Sequence, residues 1–182
     1  RGAILHVKSL GGENMIVYHG STVPVQTPKI LQSGRMLDFG EGFYTTSNQE
    51  QAERWSHSVA AKRKMNNHFI TKYEFDIESA SKELSVIYFD KPDEAWLEFV
   101  CLNRSGKTPI MPYDIAIGPV ADDQVYTVVV LYEQGVLSKE AAIIELRVRE
   151  LYNQILFHTE KSLSYCRYIL HTEIGGNLHG QK

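Results

Sequence analysis

The stretch LDFGEGFYTT, residues 37–46, constrains the chain more than any other. Gly40 and Gly42 punctuate it two residues apart, and an aromatic and β-branched run, Phe43 to Thr46, follows at once. Glycine ends regular structure because it loses the most backbone freedom on ordering, whereas Phe, Tyr and Thr favour the pleated strand. The segment therefore predicts a tight turn that delivers Tyr44 on a short strand. A helix is expected next: Ser47 with Glu50 three residues later reads as a capping box, opening a helix from about Asn48 to Met65. On that helix Ala52, Trp55 and Val59 share a face, so Trp55 is expected to point inward.

The rest of the chain alternates short strands with helices. MIVYHG from Met15 reads as a buried strand with His19 at its exit, and Pro24 and Pro28 then enforce a loop. HFITKYEFD alternates Phe69, Thr71, Tyr73 and Phe75 against Ile70, Lys72, Glu74 and Asp76, as a half-buried strand does. SVIYF and YDIAIGP read as strands. Between them Pro92 opens a helix with Trp96, Phe99 and Val100 on one face, ending near Arg104. In DDQVYTVVVLYEQG, Val128 to Val130 favour strand, but Asp122 as a cap and Gly135 as a terminator favour helix, which is the expectation. SKEAAIIELRVRELY is a helix behind a Ser138 cap, with Ala141, Ile144, Val148 and Leu151 at helical spacing. NQILFHTEKSLSYCRYILHTE is a strand, a polar break and a second strand.

A chain of 182 residues, 43% hydrophobic and 23% charged, can bury the core of one domain, and no shift in composition marks a second. The fold class is α+β. Residues 1–14 read as a leader or an added segment ahead of a natural start at Met15, which leaves 15–182 as the domain. A net charge of −3 argues against a dedicated nucleic-acid binder, and Lys62-Arg63-Lys64 reads as a solvated helix face. Cys101 and Cys166 lack ligand spacing and fit a reducing, cytoplasmic setting. No apolar run approaches a membrane span. RSGKTP lacks the first glycine of a phosphate loop, since Cys101 stands there, and reads as a turn. The histidines show no metal-ligand spacing. Cys101, on an amphipathic helix, reads as core rather than nucleophile.

Three separated fragments remain: YHGS, FGEGFYTT and NQILFH. Their polar and aromatic residues could meet at one cleft if the strands pair. Singly, His19 could cap a loop, Tyr44 could be a core aromatic and Gln154 could end a helix.

Together, YHGS and FGEGFYTTSNQEQAERW resemble the paired signatures of the ADP-ribosyltransferase superfamily, in the His-Tyr-Glu branch of diphtheria toxin and the poly-ADP-ribose polymerases. YNQILFHTEKSL resembles the branch's third signature. From about Met15 the chain is also similar to bacterial domains of this superfamily that are often encoded beside small antitoxin-like proteins. The resemblance implies a single-domain ADP-ribosyltransferase-like fold, a split sheet of short strands with inserted helices. It implies a mono-ADP-ribosyltransferase that uses NAD as substrate and no metal, modifying a macromolecular acceptor that the residues do not name; the likeness to domains encoded beside antitoxin-like proteins adds the expectation of a toxin with an antitoxin partner. The net charge disfavours nucleic acid without excluding it as that acceptor.

The resemblance also implies roles. His19 would bond an NAD ribose, Gly20 would clamp the nicotinamide carboxamide through its backbone, and Ser21 would lie beside them. Tyr44 would pack on the nicotinamide ring and Trp55 would stack as a second aromatic. The branch's glutamate is replaced by Gln154, which keeps a hydrogen bond but not the charge that stabilises an oxocarbenium-like centre. Ala52 stands where many relatives carry a serine that bonds the carboxamide. Alternatives are a non-catalytic NAD- or ADP-ribose-binding or protein-interaction module, and an NAD glycohydrolase.

Overall fold

The computed structural model describes residues 14–31, 34, 37–106, 112–120, 123–147 and 152–175. The leader at 1–13, the RSGKTP turn beyond Gly106, the Asp122 cap and the helix positions Val148 and Leu151 lie outside the described residues.

The elements are β1 Met15–Ser21, β2 Phe43–Thr45, α1 Gln49–Arg63, β3 His68–Phe75, α2 Ile77–Glu83, β4 Val86–Tyr88 and α3 Glu94–Arg104. There follow β5 Ile115–Pro119, α4 Asp123–Glu133, α5 Lys139–Arg147, β6 Asn153–Phe157, α6 Glu160–Leu163 and β7 Cys166–Ile174. The fold is α+β. Its strands form two sheets, β1-β3-β7 and β2-β6-β5-β4. All pairs are antiparallel except β4 with β5. Among the described residues the sheets are joined by one bridge, in which Tyr18 N–H donates to the Thr46 carbonyl at 2.8 Å and Thr46 N–H to that of Tyr18 at 3.0 Å.

Strand alternation sorts the apolar side chains into two cores. Val17, Tyr73 and Phe75 of the three-stranded sheet share one core with Phe43, Ile115, Ile117, Ile155 and Phe157 of the four-stranded sheet. The intervening residues Ala116 and Leu156 face the opposite way, into a second core with Trp96, Leu97 and Val100 of α3 and with α4 and α5. The segment around Val128 is helical, as Gly135 at φ +72° suggested. Each wholly buried side chain of Trp96 or Phe157 size contributes roughly 1.5–3 kcal/mol relative to exposure.

Helix α1 covers the outer face of the three-stranded sheet, and here two expectations fail. Its N-cap is Asn48, whose side chain accepts from Gln51 N–H at 2.8 Å. Ser47 instead donates to Asn153 Oδ1 at 2.8 Å, tying the helix start to β6. Its buried stripe is Ala52, Ser56 and Ala60, while Trp55 is 60% exposed. The reason is close approach: a Cβ on Gly20 would lie 2.1 Å from the Ala52 carbonyl oxygen. An indole has no room on that face, so it is displaced to the rim. On α5 the buried residues are likewise Ala142 and Leu146, with Ile144 61% exposed, because the stripe facing α4 is offset from the one expected.

Candidate functional site

Where the two sheets meet, a cleft of about 500 Å³ opens between α1 and β1 on one side and α3, α4 and β6 on the other. His19, Gly20, Tyr44, Trp55 and Gln154 all line it. Its volume lies within the usual range for small-molecule sites.

His19 is fixed by two contacts. Its Nδ1 lies 2.8 Å from the Tyr44 carbonyl, which can only accept, so Nδ1 carries the proton and Nε2 is left as an acceptor. Its ring lies 4.5 Å from that of Phe43. Burial holds its pKa below the ordinary histidine value, the Tyr44 bond opposing this in part, so the neutral imidazole is favoured.

Gly20 follows Tyr18 by two residues on β1. Backbone groups alternate edges along a strand, so the N–H and C=O of Gly20 leave β1 by the edge on which Tyr18 pairs with Thr46. One donor and one acceptor thus point past the end of the bridge at the cleft. Its missing side chain makes room for α1: a Cβ there would meet the backbone of Ala52 and Ser56. Ser21 does not line the cleft; its hydroxyl donates to the Val23 carbonyl at 2.5 Å.

Tyr44 is delivered by the glycine turn and is held by it. Its hydroxyl donates to the Gly40 carbonyl at 2.6 Å and accepts from Phe39 N–H at 3.2 Å. Burial pushes the phenol well above its ordinary pKa, so it stays neutral. With its polar end occupied, the ring is a flat apolar wall. The rest of the turn is held as closely. Tyr113 donates to the Phe39 carbonyl at 2.5 Å and His158 Nδ1 to the Glu41 carbonyl at 2.6 Å. Arg104 forms an ion pair with Asp38 at 2.6 Å. Gly42, at φ +152°, has no space for a Cβ, which would lie 2.4 Å from the Phe157 carbonyl oxygen.

Gln154 is a buried strand residue rather than a helix end, 6% exposed. Its Nε2 donates to the Pro119 carbonyl over a long 3.4 Å. That carbonyl also accepts from the indole N–H of Trp96 at 3.0 Å. Oε1 is then the acceptor left to Gln154. Neither Glu98 nor Glu160 lines the cleft. Glu98, with its side chain 56% exposed, pairs with Lys139, and Glu160 accepts from Ile30 N–H.

Asp38, Arg104 and Tyr126 also line the cleft and carry no local signal in the sequence. Asp38 and Arg104 are 66 residues apart, and only the packing of α3 beside the turn joins them. Arg104 further lies over the Tyr126 ring at 4.2 Å.

Cys101 and Cys166 are free thiols, and burial pushes both up to about 12, so neither supplies a thiolate near neutrality. Among the described residues no group of three or more His, Cys, Asp or Glu is placed to hold a metal ion. No described helix is long and apolar enough to cross a membrane.

Residues 15–168 match the model of a family described as a protein of unknown function, DUF3990. The match spans most of the chain, and the protein belongs to that family. No curated protein matches it.

Proposed function

We propose that the protein is an NAD-dependent mono-ADP-ribosyltransferase with an ADP-ribosyltransferase-like fold. The observation that carries this reading is the convergence, in one cleft, of His19, the free edge of Gly20, Tyr44, Trp55 and Gln154 from three separated segments. In this reading the flat wall of Tyr44 and the indole of Trp55 enclose the nicotinamide ring. Gly20 offers a donor and an acceptor to the carboxamide. His19 Nε2 and Gln154 Oε1 accept from ribose hydroxyls. As the ribose C1–nicotinamide N1 bond breaks, its electron pair leaves with nicotinamide, and oriented dipoles rather than a carboxylate at Gln154 face the developing positive charge. A cytoplasmic toxin restrained by an antitoxin fits the same reading.

The amide at Gln154 favours one second reading, a module that binds NAD or ADP-ribose without turnover. The test is calorimetry with NAD, then chromatography for released nicotinamide and for label moved from tagged NAD to lysate macromolecules. Binding with labelled acceptor supports the transferase. Binding without nicotinamide release supports the module, and release as free ADP-ribose supports a glycohydrolase. No binding at millimolar NAD overturns the site. His19→Ala should abolish binding while the fold, read by circular dichroism, persists.

A further inference from the structure

Beside the cleft stand two tyrosines, each with an arginine laid over one ring face. Arg104 lies over Tyr126 at 4.2 Å, and Arg54 over Tyr152 at 4.7 Å. Tyr126 is 48% exposed and Tyr152 40% exposed, although each is an aromatic ring of a kind that normally gains by burial. Tyr126 lines the cleft itself. Tyr152 sits two residues before Gln154 and its carbonyl accepts from the N–H of Val120, another cleft residue. Arg54 is the sequence neighbour of Trp55 on α1, and Lys62 also lines the cleft from that helix. Arg104 is paired with Asp38, but no carboxylate among the described residues forms an ion pair with Arg54 or Lys62.

We infer that this mouth binds single-stranded nucleic acid, with an unpaired base stacked on an arginine-backed tyrosine and phosphates held by Arg54 and Lys62. An arginine over one face pins the ring without covering the other, which leaves a preformed plane for a flat, π-rich group. Unpaired bases match that plane, and their phosphodiesters match the two unpaired cations. An acidic peptide would satisfy the cations and leave the planes unused. The chain's net charge of −3 fits a grip built mainly on stacking, with few phosphate contacts. The inference rests on the transferase reading only in making the strand the acceptor. There, a base amine lone pair would form the bond to ribose C1 as nicotinamide leaves with the C1–N1 pair, and the amine proton would pass to water.

The test uses the whole protein and no NAD, so it succeeds or fails apart from the transferase reading. Fluorescein-labelled single-stranded DNA and RNA of mixed sequence, about 12 nucleotides long and thus within the span such grooves cover, are titrated by anisotropy. Saturable binding is expected. Tyr152→Ala should weaken it roughly tenfold, as loss of one stacked base does, and Tyr152→Phe should restore it. Arg54→Gln should reduce the salt dependence, which for two phosphates on a single strand has a logarithmic slope of about −1.4. Both side chains are exposed, and unchanged melting checks the fold. An abasic strand of equal length that binds as tightly as the base-bearing one would overturn the proposal. So would the absence of binding by either strand, unchanged affinity in Tyr152→Ala, or a poly-glutamate peptide that binds in their place.

Discussion

In the glycine turn, four consecutive residues are each held by a side chain, whereas at the cleft mouth the aromatic rings of Trp55, Tyr126 and Tyr152 face solvent. Asp38 is paired by Arg104, and the carbonyls of Phe39, Gly40 and Glu41 accept from Tyr113, Tyr44 and His158 in turn. Residues 38–41 are thus each restrained by a side-chain contact, and the turn sets the position of Tyr44. At the mouth the rings of Tyr126 and Tyr152 are each met by a cation–π contact. A wall that must present one fixed face to a small ligand gains from such restraint. A rim that meets a larger partner gains more from exposed planes whose restraints come on binding. One cleft thus combines a rigid floor with an open entrance.

If that contrast is right, substitutions should sort by region. The largest effect is expected where α1 and the turn approach other backbone. Gly20→Ala or Gly42→Ala, each placing a Cβ under 2.5 Å from a carbonyl oxygen, should cost about 3 kcal/mol or more in urea unfolding. Next is Arg104→Met, which leaves Asp38 without the guanidinium in a setting only 10% exposed and should cost about 2 kcal/mol. Gln154→Glu belongs beside it. The new carboxylate oxygen would face the Pro119 carbonyl now served by Nε2, so a loss of about 1–3 kcal/mol is expected near neutral pH, recovering as the solution is acidified. A glutamate introduced by this single change is therefore expected to be incompatible with the present contact to Pro119.

Tyr113→Phe removes one bond to the turn and should cost about 1 kcal/mol in urea unfolding; if the proposed NAD site holds, it should also weaken NAD binding as Tyr44 moves. His19 supplies a pH test. Its folded pKa lies below the unfolded value near 6.5, so the unfolded chain takes up its proton first on acidification. The His19 contribution should be complete above that value and decline as pH falls through the folded pKa, and His19→Gln should flatten that part of the profile. The smallest effect is expected at the mouth: Tyr152→Ala should change stability by less than about 0.5 kcal/mol. A large loss there, or none at Arg104, would erase the distinction between floor and rim.

The strands, helices and punctuation of this chain follow largely from local chemistry. Alternation along β3, the apolar face of α3 with Trp96 and Val100, and the turn ahead of Tyr44 were all legible, because period and glycine placement act within a few residues. That Gln154 and His19 line one cleft was suggested only by likeness to other sequences; no periodicity in NQILFH links the two. The inward Trp55 was misjudged because a helical wheel shows which residues share a face, not how near the neighbouring backbone comes. Gly20 lets α1 approach until only Ala52, Ser56 and Ala60 fit, which sends the indole to the rim. The same holds for Ser47, drawn from capping α1 to bonding Asn153 across 106 residues. By itself the sequence determined where the chain turns, where it extends and which side chains favour burial, since those depend on neighbours in the chain. Tertiary structure alone decided that Asp38 meets Arg104, that Tyr113 and His158 clamp the turn, and that two arginines lie over two tyrosines at the mouth. Those contacts join residues far apart in sequence, and they exist only once both sheets and α3 have packed.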